Sequence, residues 1–192
     1  MKMETIRPIP EKEFMEFDVT IEGTKPMLMH STRGMTAPKD SRGSRATPEQ
    51  EAELCLYKNK DGEIIIPGLN ILASIKGASS DFKMGGKGKK TFKTYINSGL
   101  EIIPEDPVLI QDGYVLDARP VVIGKARIIR TRPKFEQWKL NFTLRVIDNL
   151  LLDSNRDGSI LREILQSAGQ HNGLGDFRPL FGRFTVTKFD KI

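Results

Sequence analysis

Apolar and polar residues alternate in Phe17-Asp18-Val19-Thr20-Ile21-Glu22-Gly23, a period of two that predicts a half-buried strand ending on glycine. Residues 26–30 continue it after a kink. Apolar residues then thin out between 31 and 48, where Arg33, Lys39, Arg42 and Arg45 mix with Gly, Ser, Thr and Pro, the composition of a long mobile inserted loop. Thr47-Pro48-Glu49-Gln50 supplies an N-cap, a proline at the first helical position and an acid in the first turn, so a helix should run to about Tyr57. Lys60-Asp61-Gly62-Glu63 reads as a hairpin turn into the strand Ile64-Ile65-Ile66. A second helix begins at Pro67-Gly68, with Leu69, Leu72, Ile75 and Ala78 at helical spacing and placed to pack on a sheet.

The glycines of residues 83–91 rule out a helix there and predict a flexible basic loop. Residues 100–110 and 114–123 read as extended. The alternation through 125–132 and 136–147 predicts a strand pair bridged by Arg132-Pro133-Lys134-Phe135. An amphipathic helix over 159–167 and a closing strand over 183–189 complete the chain. The 192 residues suit one domain, 1–192. The element order predicts an α+β, ferredoxin-like (RNA-recognition-motif-like) antiparallel sheet with two helices on one face, inserted basic loops, and the other face free to bind.

Charge changes that picture through its distribution. Lys plus Arg number 30 against 25 acids, a net +5 with pI near 9.3. The sequence from Lys76 to Lys93 carries six lysines and one acid, and from Arg119 to Arg145 eight cations and one acid. Acids gather near the N-terminus and around Asp148 to Asp157, so a basic surface opposed by an acidic one is expected, suited to a polyanion or to head-to-tail self-association. The single cysteine, Cys55, excludes an intramolecular disulfide and thiolate-rich zinc sites, and fits a reducing, cytoplasmic setting. No run approaches the ~18 apolar residues of a membrane span, so a soluble protein without membrane contact is expected.

Two glycine signatures carry the candidate chemistry. One runs from Ile66-Pro67-Gly68 to Ser74-Ile75-Lys76-Gly77, the other from Gly173-Leu174-Gly175 through Arg178 to Gly182-Arg183-Phe184. Glycines let backbone N–H groups approach a ligand, and adjacent cations make that ligand a phosphate. Other motifs are weaker. Asp153-Ser154-Asn155-Arg156-Asp157-Gly158 matches half a calcium loop but has Ile164 where a bidentate Glu is needed, and a helix-capping turn explains it. Residues 85–91 fail the nucleotide-loop spacing. His30 and His171 lack metal-ligand spacing, and His171 before Asn172-Gly173 suits a helix end. Cys55 reads as a buried thiol. No cofactor or metal is expected. Phe92 and Tyr95, beside the glycine-lysine loop, are candidates for stacking on bases, whereas Trp138 belongs to the core by its alternation with Leu140 and Phe142.

The same signatures, with the loop-rich insertion ahead of the first, resemble the repeat-associated mysterious protein (RAMP) superfamily, and among its members the backbone subunits of CRISPR effector complexes. The resemblance implies a ferredoxin-like palm with inserted loops, stacking head-to-tail along one guide RNA, RNA favoured over DNA, beside other effector subunits. It implies that Ser74 and Lys76 contact guide phosphates and that Gly173 and Gly175 shape a backbone groove flanked by Arg178 and Arg183. Lys83, Lys87, Lys89 and Lys90, with Arg127, Arg130 and Arg132, would reach the same strand or the next subunit. Some family members cut RNA with an acid after the first strand, a region where Asp40 lies. Alternatives are a phage or mobile-element single-stranded DNA binder of the same fold, a metal-dependent endoribonuclease using Asp40 or His30, and a scaffold recruiting an acidic protein.

Overall fold

The computed structural model describes residues 14–35, 46–152 and 157–192. Asp40, Lys39, Arg42, Arg45 and the Asp153–Arg156 half of the calcium-like motif lie outside them. The first predicted strand is β1 (Met15–Gly23), and its alternation does what a period of two should: Phe17, Val19 and Ile21 are buried while Asp18 and Glu22 are not. It runs antiparallel between β7 (Trp138–Val146) and β8 (Phe184–Lys191), with Val19 opposite Phe142 on one side and Phe189 on the other. Beyond β7 lie β3 (Leu100–Ile103) and β4 (Leu109–Gln111), so the main path reads β3-β7-β1-β8.

Helices α3 (Gly68–Ala78) and α5 (Ser159–Ser167) pack on each other and share one apolar core with the inner faces of β1 and β7. The buried stripe of α3 is Gly68, Ile71, Ser74, Ile75 and Ala78. Leu69, expected to pack, points to solvent at 73% exposure, because the burying stripe is turned toward Ile71 and Ile75.

A second sheet was not expected. After Gly23 the chain turns, and β2 (Met27–Leu28) pairs with β6 (Ala126–Phe135), which in turn pairs with β5 (Val115–Ile123). The predicted pairing of 125–132 with 136–147 therefore does not form: β6 hairpins back onto β5 through Gly124, and β7 joins the other sheet. Alternation sets which residues face inward but does not name the neighbouring strand. The predicted strand Ile64-Ile65-Ile66 is reduced to single bridges, Lys58 with Ile64 and Ile65 with Val108. On this smaller sheet sits α2 (Pro48–Leu54), begun by a complete capping box between Thr47 and Gln50. Short helices α1 (Thr32–Met35) and α4 (Ile96–Gly99) fill corners. The basic loop is closed at its base, with Lys83 bridged to Thr91 and the Met84 N–H donating to Lys90 O at 2.9 Å.

The burial pattern makes two truncations diverge. Leu140→Ala, at 0% exposure in the centre of β7, should lower stability by about 2–5 kcal/mol, whereas Leu69→Ala should stay within about 0.5 kcal/mol. Urea unfolding of the two variants measures the contrast; equal losses would place α3 with a different face inward.

Candidate nucleic-acid interface

The second glycine signature forms a loop that locks onto the turn between the two sheets. Its attachments are backbone to backbone: Asp176 N–H donates to Leu28 O at 2.7 Å, Gly182 N–H to Pro26 O at 2.8 Å, and Leu174 N–H to Gly182 O at 2.9 Å. Gly175 and Gly182 have φ of +80° and +72°, and a methyl on either would strike the carbonyl of Leu28 or Leu174. From the other side, Ser74 Oγ donates to Gly173 O at 3.0 Å and Asn172 Nδ2 donates to Ser74 O at 2.8 Å. The two signatures, ninety-nine positions apart at that bond, thus meet. Ser74 is 1% exposed, so its hydroxyl braces the loop from inside instead of facing a phosphate.

Beneath the loop lies a half-buried charge cluster around the buried Arg132. Arg132 Nε stands 2.6 Å from Asp176 Oδ2 without the alignment of a hydrogen bond, leaving a charge–charge contact. His30 Nδ1 is 3.5 Å from the same oxygen. The approach of His30, with help from the Phe177 N–H and Arg132, holds the Asp176 carboxyl down to about 2 against the opposing effect of burial. Phe177, at φ +53°, is kept in its left-handed conformation by that N–H bond and by Arg132, whose guanidinium lies 5.0 Å from the ring centroid. Arg119 lies 4.6 Å from the Phe181 ring and pairs with Asp117, tying β5 to the loop. Alongside, Arg130 Nε meets Glu51 Oε1 at 3.0 Å and its Nη2 donates to Gly34 O at 2.6 Å, while Glu51 Oε2 accepts from Thr131 N–H. Burial pushes the Cys55 thiol up to about 11, so it stays protonated.

These contacts sort the expected binding residues. Arg130 and Arg132 are buried and acid-paired, so neither presents a free charge. Phe92, expected to stack on bases, is 7% exposed and belongs to the core. Tyr95 is half-buried, with Lys87 Nζ 5.7 Å from its ring. Lys83, Lys87, Lys89, Lys90, Arg127 and Arg178 are exposed and Lys76 partly so, all without an acid partner among the described residues. Arg183 spends its Nε on Pro179 O. Lys76 sits in the last turn of α3 and the basic loop follows that helix, while Arg178 lines depressions shared with Ala73 and Gly77. Lys76 and Arg178 therefore lie near the C-terminal half of α3, whereas the basic loop that follows the helix lies against the start of α5; Arg127, at the far end of the β5–β6 hairpin, is near neither.

The outer face of the main sheet, expected to bind, is occupied by its own charges. Arg145 meets Glu16 at 2.6 Å and Glu101 at 3.0 Å, Lys188 meets Asp18 at 2.6 Å, and Lys139 meets Glu22 at 3.0 Å. Among the described residues no cluster of three His, Cys, Asp or Glu could hold a metal ion, and no helix is long and apolar enough to cross a membrane. Sequence reading missed Asp176, Phe177 and Glu51. The small residues Ala73 and Gly77, four apart on the exposed side of α3, are the signal that could have marked the trough.

No family model matches the sequence, and no curated protein does. A chain of the type III-B Cmr-beta structure, solved bound to cognate target RNA, superposes over 93% of this chain at TM-score 0.60 and 12% identity. The two chains share a fold. This chain spans 61% of the length of that one. Cmr6 from Pyrococcus furiosus is a looser likeness, TM-score 0.47 at 12% identity over 91% of this chain and 99% of its own, too loose to argue from. The resemblance to CRISPR effector subunits read from the glycine signatures therefore holds as a likeness of fold.

Two consequences of the charge cluster are measurable. A carboxylate whose pKa is depressed stabilises fully above its ordinary value of 3.8 and loses that contribution as pH falls toward about 2. The stability gap between wild type and Asp176→Asn, present at neutral pH, should therefore close across that interval in acid unfolding followed by circular dichroism; a pH-independent gap would mean that the ionised carboxylate is not the source. Glu51→Ala leaves Arg130 buried and unpaired and should cost about 3–5 kcal/mol by urea unfolding, a loss that a surface pair such as Lys139 with Glu22 would not show.

Proposed function

We propose that this chain is a non-catalytic subunit of a CRISPR-type effector complex that holds single-stranded RNA, in preference to DNA, along the trough between α3 and the glycine loop, with copies adding head-to-tail along the strand. The observation that carries this reading is the partition of cations. Those on the two sheets are largely spent on acids, while Lys76, Arg178 and the lysines of the basic loop have none among the described residues. Unpaired cations in one tract exchange their counterions for phosphates at a net gain, and paired ones do not.

The likeness of fold to a chain of a type III-B assembly bound to target RNA supports the setting. The strand order β3-β7-β1-β8 with α3 and α5 as its two crossovers supports a ferredoxin-like palm. Paired charge on the outer sheet face favours the opposite, loop-bearing side as the one that meets RNA. Phosphates would lie against Arg178 and Lys76 and run on toward the basic loop, whose exposed Gly85 and Gly88 leave its lysines room to follow a strand.

Fluorescence anisotropy on single-stranded RNA, single-stranded DNA and duplex at several salt concentrations tests this. Affinity for single-stranded RNA should be highest and should fall with salt, and Lys76→Ala and Arg178→Ala should each flatten the log–log slope by about 0.7, one phosphate's worth for a single strand. Lys188→Ala, on the paired face, should leave it unchanged. A salt-insensitive complex, or a slope moved only by Lys188→Ala, would overturn the reading.

A further inference from the structure

The open trough beside α3, about 640 Å³, has a third wall besides the helix and the glycine loop. It is the single π-helical turn Ala168–Asn172 that continues α5, and His171 and Asn172 line the trough from it. Nothing in the strand-holding reading above uses His171.

The turn explains why that imidazole faces outward. Its closing bond runs from the Gly173 N–H to Ala168 O at 2.8 Å, five residues back, one more than an α-helix allows. Inward positions therefore fall four apart along the chain: Ile164 with Leu165, Ala168 with Gly169, then half-buried Asn172 with Gly173. A 3.6-residue period would have carried position 171 round toward that stripe. The wider turn brings Asn172 instead and leaves His171 exposed. Asn172 is fixed there by its Nδ2 bond to Ser74 O, and it crosses α3 so closely that a methyl on Gly77 would strike its amide. Wide turns of this kind recur at functional sites.

The charges around His171 favour an anion. From the loop, Asp176 and Arg178 share the trough; Asp176 is engaged by Arg132 and His30, whereas Arg178 has no acid partner among the described residues. From α3 the trough receives the uncharged Ala73 and Gly77, with Lys76 beside them in the last turn. The neighbours of His171 in its own turn, Gln170 and Asn172, carry no charge, and its ring makes no hydrogen bond or ion pair among the described residues.

An imidazole changes charge between pH 5 and 8 and, once protonated, donates from both ring nitrogens. We propose that His171 is a phosphate contact of the trough, made by its protonated form beside Arg178, so that the grip on single-stranded RNA tightens as pH falls through that interval. The contact is present at the acid end and lost as the ring gives up its proton. The inference rests on the strand-holding reading above and adds to it a titratable contact that neither lysine nor arginine would supply.

The test measures anisotropy on oligo-U, whose bases do not titrate in this range, from pH 5.5 to 8 with salt titrations at both ends, for wild type, His171→Gln and His171→Arg. Wild-type affinity should fall roughly fivefold as pH rises, and its log–log salt slope should be steeper by about 0.7 at pH 5.5, one phosphate's worth. His171→Gln should bind throughout as wild type does at pH 8, and His171→Arg as wild type does at pH 5.5. Because the ring is exposed, both variants should fold, which circular dichroism at each pH checks. Salt-dependent binding that does not change with pH, or a pH dependence that survives His171→Gln and so belongs to His30, the other histidine, would overturn the role of His171 and leave strand holding in place. No salt-dependent binding at any pH would overturn both.

Discussion

The structure turns on the backbone clamp between the loop of residues 173–182 and the turn of residues 24–28. At that turn the chain leaves one sheet and enters the other, a point where two sheets could otherwise hinge. The loop closes it with main-chain hydrogen bonds to Pro26 and Leu28 and with Gly175 and Gly182 in conformations and spaces that no side chain could share. Everything functional follows from where the clamp puts its neighbours. Asp176 is carried over Arg132, Phe177 over the same guanidinium, and Arg178 out into the trough beside α3. Ser74 and Asn172 hold the loop from the helix side, so α3 and the loop form two walls of one open trough.

Charge pairing then decides which surface is available. A net charge of +5 on 192 residues would be unremarkable if spread evenly. Instead the guanidinium groups of Arg119, Arg130, Arg132 and Arg145 are each matched to a carboxylate, two of them deep inside, where an unmatched cation would carry a large desolvation cost. Unmatched cations remain in the last turn of α3, on the glycine loop and along the basic loop, with others such as Lys25, Lys60, Arg127 and Arg162 scattered elsewhere. The outer sheet face has the opposite character, since Glu16, Asp18, Glu22 and Glu101 there use up their cations and would repel a polyanion.

Much of the main sheet was legible in the chain. The alternation of β1 and β7 gave both strands and their inward residues, Thr47-Pro48 placed the start of α2, and the two glycine signatures pointed to the segments that meet. Partnership between strands was not legible: β6 and β7 carry equally good alternation, and which sheet each joins depends on partners distant in the chain, β2 for β6 and β1 for β7. The same limit explains the site. Arg130, Arg132 and Lys76 look alike as sequence, and only the carboxylates of Glu51 and Asp176, distant in the chain, set the first two apart from the third. Phe92 looked exposed beside six lysines, yet a loop closed by the Lys83–Thr91 bridge turns its ring inward.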